Sequence, residues 1–177
     1  STYYTEEVLD SFTAKGPSTN PEKEGYTFAG WYNGDVKVEQ ITTENVGDMN
    51  LVAKFDAIDY KVTYELNGGT NAESNPATYN ADQLPLTLAA PTKEHYVFAG
   101  WKLGEEVVEA IPAGTLGDVT LVATWTVKEY TITYELDGGT NAESNPATYN
   151  VEQLPITLAA ATKLGYKFLG WYNGDAK

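Results

Sequence analysis

The sequence has no cysteine, and it has only one histidine and one methionine in 177 residues. Without cysteine the chain forms neither disulfide bonds nor a cysteine-ligated structural zinc site. The same absence excludes a cysteine-histidine catalytic pair, because the thiol that would act as nucleophile is missing. The redox compartment of the protein is left open by this criterion.

Basic residues and long apolar runs are also scarce. There are 25 aspartates and glutamates against 11 lysines and arginines, which gives a formal net charge of -14. This charge repels phosphate backbones and anionic lipids, so we expect neither nucleic-acid binding nor insertion into a membrane. No apolar run approaches the roughly 20 residues of a spanning helix, and no leader peptide is visible. Because the chain starts at Ser1 rather than Met, we expect a fragment or a processed product.

The sequence is rich in internal repetition. Residues 63–80, TYELNGGTNAESNPATYN, return as residues 133–150 with one change. Of the 42 positions that pair 60–101 with 130–171 at an offset of 70, 31 are identical. A further copy is marked by tryptophans at the same offset, namely Trp31, Trp101 and Trp171. Repetition at a fixed period predicts tandem modules.

We place the three repeats at residues 1–58, 59–128 and 129–177, of which the first and the third are partial. A cut near Tyr79, giving 1–78, 79–148 and 149–177, fits the periodicity equally well. A unit of about 70 residues buries only about 60% of its unfolded surface. The 13 Tyr, 5 Phe and 4 Trp residues are therefore expected to form its core.

The second repeat predicts a small β-rich unit. The alternation in Tyr60–Leu66 indicates a half-buried strand, Asn67–Thr70 a turn and residues 71–78 a surface loop. Asn80 can cap one short helical turn, which Pro85 would end. At position 95 the other copies have glycine, which predicts a positive φ at His95.

The remainder of the repeat continues this pattern. An apolar strand at Tyr96–Trp101 leads into a hairpin, followed by a returning strand at Glu105–Glu109, turns at Ile111–Gly114 and Gly117–Asp118, and a last strand at Val119–Trp125. We predict an α+β, mostly β fold, with four to five strands and at most one short helix per module. These strands would form an antiparallel or mixed sheet over an aromatic core.

The joints between repeats and the ends of the array carry two further expectations. The segments 55–60 and 125–130 are short and lack Gly, Pro and Ser, so we expect stiff joints and an extended rod. The opening of the first copy, Tyr4–Leu9, is matched to Tyr79–Leu84. An incomplete repeat leaves an unpaired strand edge, and we expect self-association in which the third repeat of one chain completes the first repeat of another.

Candidate chemistry is weak throughout. His95 is interpreted as an exposed turn residue, and the tryptophans as core residues rather than a sugar platform. Calcium and phosphate sites are not expected, because neither an EF-hand loop nor a phosphate-binding glycine motif occurs. A crosslink between a lysine and an Asn or Asp stays open. Carboxylates that could act on glycosides are interpreted as solvent-facing: Glu65, Glu135, Glu73, Glu143, Glu105 and Glu106.

Three motifs in order, Y-x-[VI]-T-Y-E-L-[ND]-G-G-T, P-T-K-x-G-Y-x-F-x-G-W-Y and G-D-x-T-L-x-A-x-W, resemble the Listeria-Bacteroides repeat family, which is related to the B repeats of internalins. Residues 60–126 cover the whole pattern, and residues 21–55 and 130–177 cover parts of it. Departures are His95, Leu103, Phe55 and the poorly matching residues 1–20.

The resemblance implies tandem β-grasp-like (ubiquitin- or SUMO-like) modules on the surface of bacteria, with no known catalysis. We therefore expect a non-enzymatic extracellular repeat module that acts as a semi-rigid spacer or stalk in a cell-surface protein. The alternative is an adhesin module that binds a host protein or glycan through loop 71–78 or the tryptophan face. No catalytic, cofactor-binding or metal-binding residue is predicted.

Overall fold

A computed structural model describes residues 20–174 of the chain. The predicted match at Tyr4–Leu9 lies outside the described residues. Within them, regular structure consists of β-strands and single 3-10 turns at Thr43–Asn45, Ala81–Gln83 and Val151–Gln153, which confirms the mostly β prediction. The strands in chain order are β1 (Tyr26–Asn33), β2 (Val36–Val38), β3 (Leu51–Ala57), β4 (Tyr60–Glu65), β5 (Thr78–Tyr79), β6 (Leu86–Thr87), β7 (Tyr96–Leu103), β8 (Glu106–Val108), β9 (Ala110–Ile111), β10 (Val119–Val127), β11 (Tyr130–Thr131) and β12 (Thr148–Tyr149).

The second repeat contains the largest sheet, with five strands in the order β5-β4-β10-β7-β8. Strand β10 runs parallel to β4, with Val119 opposite Val62 and Leu121 opposite Tyr64. Strand β5 pairs with β4 and strand β8 pairs with β7, and both of these pairs are antiparallel. The sheet is therefore mixed, and the first and last long strands of the repeat are neighbours in it.

The buried core residues among the described residues all belong to the second repeat: Val62, Tyr79, Leu88, Trp101, Ile111, Val119, Leu121 and Ala123. Alternate residues of β10 face this core, as the sequence predicts. The Tyr64 and Trp101 rings pack with their centroids 5.4 Å apart, an arrangement typical of aromatic cores.

The turns follow the glycine pattern. His95 has φ 64°, close to the 80° and 79° of Gly25 and Gly165 at the matching positions, so the prediction of a positive φ is confirmed. Asn67 and Gly68 also have positive φ and end β4. Gly69 is needed for another reason, because a Cβ there would lie 2.4 Å from the Trp125 ring.

Some elements differ from the prediction. Ile111, expected in a turn, pairs with Leu86 in the two-residue ladder β6–β9 and is fully buried. Such short ladders bring the second repeat to seven strands, because two paired residues leave no periodic signal in the sequence. The predicted helical turn is a 3-10 turn with a capping box: Asn80 Oδ1 accepts from the Asp82 amide, and the Gln83 side chain accepts from the Asn80 amide.

The described parts of the other repeats carry fewer strands. The first repeat has the sheet β2-β1-β3, and the third has the pair β11–β12. The hairpin of the first repeat turns at Gly34–Asp35, between Asn33 as the last residue of β1 and Val36 as the first residue of β2. Residues 132–136 and 164–172 form no strand.

Two compact units make up the described chain, and their boundaries fall inside the second repeat. The first combines the described residues up to Glu65 with Glu73–Ala89 and Trp101–Val122. The second combines Leu66–Ala72 and Ala90–Gly100 with the described residues from Ala123 onward.

Candidate functional site

The carboxylates considered for glycoside chemistry are exposed. Glu65 and Glu135 lie on the solvent side of their segments, with the half-buried Tyr64 and Tyr134 beside them facing inward. Glu73, Glu143, Glu105 and Glu106 are exposed as well. Within residues 20–174 no cluster of three or more His, Asp or Glu side chains has the arrangement of a metal site.

The tryptophans pack inward. Trp101 is 1% exposed, and its indole N–H donates to the Ala89 carbonyl at 3.2 Å. Trp171 makes the matching bond to the Ala159 carbonyl at 2.8 Å but is only half-buried, as is Trp31. The middle tryptophan is therefore a core residue and offers no exposed face on which a sugar could stack.

Loop 71–78 is exposed at its tip and anchored at its base. The Asn75 side chain donates to the Ala89 carbonyl at 2.9 Å and accepts from the Ala89 amide at 2.8 Å. Asn145 makes the same pair of bonds with Ala159 in the third repeat. These bonds fix the loop against the segment before the tryptophan strand, while Glu73 and Ser74 face solvent.

His95 lies in its turn with 46% of the side chain exposed. Its Nδ1 is 2.9 Å from the hydroxyl of Tyr130, the first residue of the next repeat's opening strand, and its Nε2 is 3.4 Å from the Glu94 carboxylate. The ring is in edge contact with the Tyr130 ring. The histidine is thus an exposed turn residue, as predicted, that also reaches across a joint between repeats.

The two joints between repeats contain the same set of side-chain and backbone hydrogen bonds. We define the first junction by Gly25, Tyr26, Ile58, Asp59, Asn80 and Asp82, and the second by His95, Tyr96, Lys128, Glu129, Asn150 and Glu152. Each position of the second junction lies 70 residues after its counterpart in the first.

In the first junction the Tyr26 hydroxyl donates to the Asp82 carboxylate. The Ile58 amide donates to the Gly25 carbonyl at 2.9 Å, and the Asn80 side chain donates to the Asp59 carboxylate at 2.8 Å. A Cβ at position 25 would lie 2.9 Å from Leu116 Cδ2, so the exposed Leu116 side chain would have to shift.

The second junction repeats these three bonds. Tyr96 donates to Glu152 at 3.1 Å, the Lys128 amide to the His95 carbonyl at 2.9 Å, and the Asn150 side chain to Glu129 at 2.7 Å. The segments that join the repeats, residues 58–59 and 128–129, are two residues long. Both joints are thus short, and at each of them the tyrosine–carboxylate bond is the one that joins two repeats, while the other two bonds tie each end of the connection to its own repeat.

The pKa of each junction tyrosine, Tyr26 and Tyr96, is raised. The hydrogen bond to Asp82, with smaller contributions from burial and charge, raises the pKa of Tyr26 above its usual value of 10.0. Glu152 raises the pKa of Tyr96 in the same way. A phenol that donates to a carboxylate resists ionisation, so both junction tyrosines keep the hydroxyl proton that they donate at neutral pH.

The sequence prediction of stiff joints did not identify the junction bonds. A signal was present, because positions 82 and 152, and likewise 59 and 129, change between Asp and Glu while keeping a carboxylate. The tyrosine partners lie 56 residues before Asp82 and Glu152, so nothing local in the sequence connects them.

Residues 20–174 include no helix long and apolar enough to cross a membrane. The chain is 34% identical, over 89% of its own length and 24% of the relative, to a protein of Evansella cellulosilytica provisionally named a membrane protein. It is 32% identical to a second protein of this organism, provisionally named a Gly-rich membrane protein, over 88% of the chain and 18% of that protein. It is 34% identical to internalin H of Listeria monocytogenes over 67% of the chain and 20% of the internalin.

The chain spans about a fifth to a quarter of the length of these relatives. No solved structure matches it significantly. The family model of the Listeria-Bacteroides repeat domain matches residues 2–54, 60–124 and 130–177, which together are nearly the whole sequence. This match, together with the internalin relative and the 70-residue repetition, shows that the chain belongs to the Listeria-Bacteroides repeat domain family.

Proposed function

We propose that this chain is a non-enzymatic, extracellular repeat segment that acts as a semi-rigid spacer in a bacterial cell-surface protein. The observation that carries the proposal is the recurrence of one tyrosine–carboxylate bond between successive repeats, Tyr26 to Asp82 and Tyr96 to Glu152, beside the same two bonds at the ends of each connection. A spacer needs joints that hold successive repeats in one orientation, and a joint with identical bonds at each step serves that purpose.

The joints combine short connections with polar contacts. A two-residue connection whose amide is already bonded, as at Ile58 and Lys128, leaves few free backbone torsions. Each junction also has two hydrogen bonds to a carboxylate, of which the tyrosine bond joins two repeats and is exposed to solvent, where such a bond contributes little by itself. The short connection and this bond together oppose bending at the joint.

Three further observations support the wider assignment. The names of the relatives, an internalin and two membrane proteins, favour the cell surface. The strand order of the second repeat, with its first and last long strands parallel and adjacent, favours the β-grasp-like fold implied by the family. The solvent-facing carboxylates favour a role without catalysis.

The proposal is tested by measuring motion across the second junction. Because the chain has no cysteine, Ser74→Cys and Ser144→Cys introduce spin labels at matching exposed loop positions of two repeats. We expect a narrow distribution of label-to-label distances, which becomes broader when Tyr96→Phe removes the hydroxyl that donates to Glu152.

The matched control is Tyr172→Phe, since Tyr172 is 56% exposed and lies outside the junctions. This change should leave the distance distribution unchanged. A distribution that is already broad in the unaltered chain would contradict a semi-rigid spacer.

An adhesin is the second candidate, and the exposed, duplicated tip of loop 71–78 favours it. The loop is a better candidate than the tryptophan face, because Trp101 is buried. Binding to a host protein or glycan that is lost on Glu73→Ala and Glu143→Ala, with the fold intact, would distinguish an adhesin from a spacer.

A further inference from the structure

The first and the last long strand of the second repeat are neighbours in its sheet. The chain enters the repeat through residues 58–59 into β4, and it leaves the repeat from the end of β10 through residues 128–129. Strand β10 runs parallel to β4, with residues 62–65 directly opposite residues 119–122. We call β4 and β10 the terminal strand pair. Because the two strands are parallel, the chain enters and leaves at opposite ends of this pair.

The direction of the strands determines how tension acts on the pair. A pull on the chain from both sides of the repeat draws β4 toward its start and β10 toward its end, so the strands are forced to slide past each other. Hydrogen bonds between parallel strands are evenly spaced along the pair, and sliding strains all of them at once. With antiparallel strands the chain would enter and leave at one end, and the bonds would break one after another.

Two side-chain hydrogen bonds reinforce the far end of the terminal strand pair. The Asn67 amide group donates to the Ala123 carbonyl at 2.9 Å. The Trp125 indole N–H donates to the Leu66 carbonyl at 3.0 Å, and its ring lies so close to Gly69 that a Cβ there would be 2.4 Å away. Both bonds connect the segment after β4 to β10, so sliding of the strands must break them together with the ladder.

The near end of the pair is held in a similar way. The Lys61 amide donates to the Asp118 carboxylate at 2.8 Å, just before β10 begins. The Tyr79 hydroxyl, on the neighbouring strand β5, donates to the Gly117 carbonyl at 2.7 Å. Polar bonds therefore fix the start of β10 to both β4 and β5.

Buried side chains restrict the access of water to the ladder. Val62, Val119 and Leu121 point from the paired segments into the core and are at most 8% exposed. A strained hydrogen bond breaks most easily when water can replace the lost partner, because little net energy is then required. The core side of the ladder is closed to such water.

We propose that the second repeat bears tension along the chain, and that the terminal strand pair is the element that resists this tension. The inference rests on the proposed spacer function, because a segment that holds a functional domain away from the cell is pulled along its length. It concerns the force at which the repeat itself unfolds and not the stiffness of the joints. Forced unfolding is governed by the unfolding rate rather than by the free energy of unfolding.

The test pulls the full chain in an optical trap through pairs of introduced cysteines, since the natural chain has none. Lys61→Cys and Thr126→Cys, both at exposed positions, load the terminal strand pair lengthwise. Lys61→Cys and Leu116→Cys pull instead on the starts of both strands and open the pair from one end. We expect the lengthwise pair to unfold at a force at least about twice as high, because several ladder bonds break together rather than singly.

A further variant tests the bond at the far end of the pair. Asn67→Asp removes the donor to the Ala123 carbonyl, and the turn tolerates aspartate, because Asp137 has a φ of 45° at the matching position against 48° for Asn67. We expect a lower unfolding force in the lengthwise geometry and little change when the pair is opened from its start. Asn33→Asp adds the same charge in the first repeat and should leave both forces unchanged.

Equal unfolding forces for the two cysteine pairs, or a lower force for the lengthwise pair, would overturn the proposal. An unchanged lengthwise force in the Asn67→Asp chain would also count against it, because the load would then be carried elsewhere in the repeat. The spacer proposal is tested without force, through label distances across the second junction. A flexible junction and a weak terminal strand pair are therefore separate results.

Discussion

His95 adopts a backbone conformation that few side chains tolerate. Its φ of 64° matches glycine in the other two repeats, yet its ring contacts Tyr130 across the second junction. The position therefore combines a cost in backbone conformation with a side-chain contact that neither glycine can make.

These two effects can be separated by comparing His95→Val with His95→Asn. Both substitutions remove the ring contact with Tyr130, but only valine, which is β-branched, is strongly disfavoured at positive φ. We expect His95→Val to be less stable than His95→Asn by about 1–2 kcal/mol in the free energy of unfolding, measured by urea denaturation. Equal stabilities would show that the turn adjusts its backbone.

At the scale of elements, the anchored loop 71–78 shows how one side chain determines a segment that has no regular structure. Asn75 supplies both a donor and an acceptor to Ala89, which replaces the ladder that the loop lacks. The duplicated Asn145 does the same with Ala159, so the loop has the same base in both repeats.

Replacement of Asn75 by alanine is expected to release this loop. It leaves the Ala89 amide without its acceptor, which costs about 1–3 kcal/mol when such a group is shielded from water, while the Ala89 carbonyl keeps the bond from the Trp101 indole. We expect faster hydrogen exchange at residues 71–78 and 89, with unchanged exchange at 141–148 as the internal control. Unchanged exchange in the altered loop would mean that other contacts hold it.

Elements in which apolar and polar residues alternate, or which carry a characteristic local residue type, were predicted well from the sequence. Elements that form only when two distant segments pair were not. The strands β4, β7 and β10, the positive φ at His95 and the cap at Asn80 each depend on local residue types that a sequence displays. The ladder β6–β9 does not, because Leu86 and Ile111 meet only after the sheet has formed. The parallel neighbours β4 and β10 are likewise a tertiary feature.

The candidate sites were predicted less well for the same reason. The carboxylates and Trp101 lie where the sequence analysis places them, at the surface and in the core respectively. The junction bonds were missed, because they join residues 56 positions apart.

For the whole molecule, the excess of negative charge is the dominant electrostatic feature. The net charge of -14 is offset by few ion pairs, since the described residues contain two lysine–carboxylate pairs, both partly or fully exposed, and one contact between His95 and Glu94 that is an ion pair only when the histidine is protonated. Self-repulsion of this kind disfavours the compact state, and dissolved salt screens it.

We therefore expect the melting temperature to rise between about 10 mM and 150 mM sodium chloride, as the Debye length falls from about 30 Å to about 8 Å. The combined substitution Glu65→Gln and Glu135→Gln removes two exposed negative charges and should reduce this rise. Scanning calorimetry at the two salt concentrations measures both effects. A melting temperature that falls with salt would indicate that attractive ion pairs outweigh the repulsion.

The repeated junction also has a consequence for how such genes change. Every full repeat carries the donor tyrosine of one joint and the acceptor carboxylate of the joint before it, as Tyr96 and Asp82 illustrate. Recombination that adds or removes one 70-residue repeat therefore joins two repeats that already carry the donor tyrosine and the acceptor carboxylate of the new joint. Variation in copy number among strains should be tolerated at these joints without compensating substitutions.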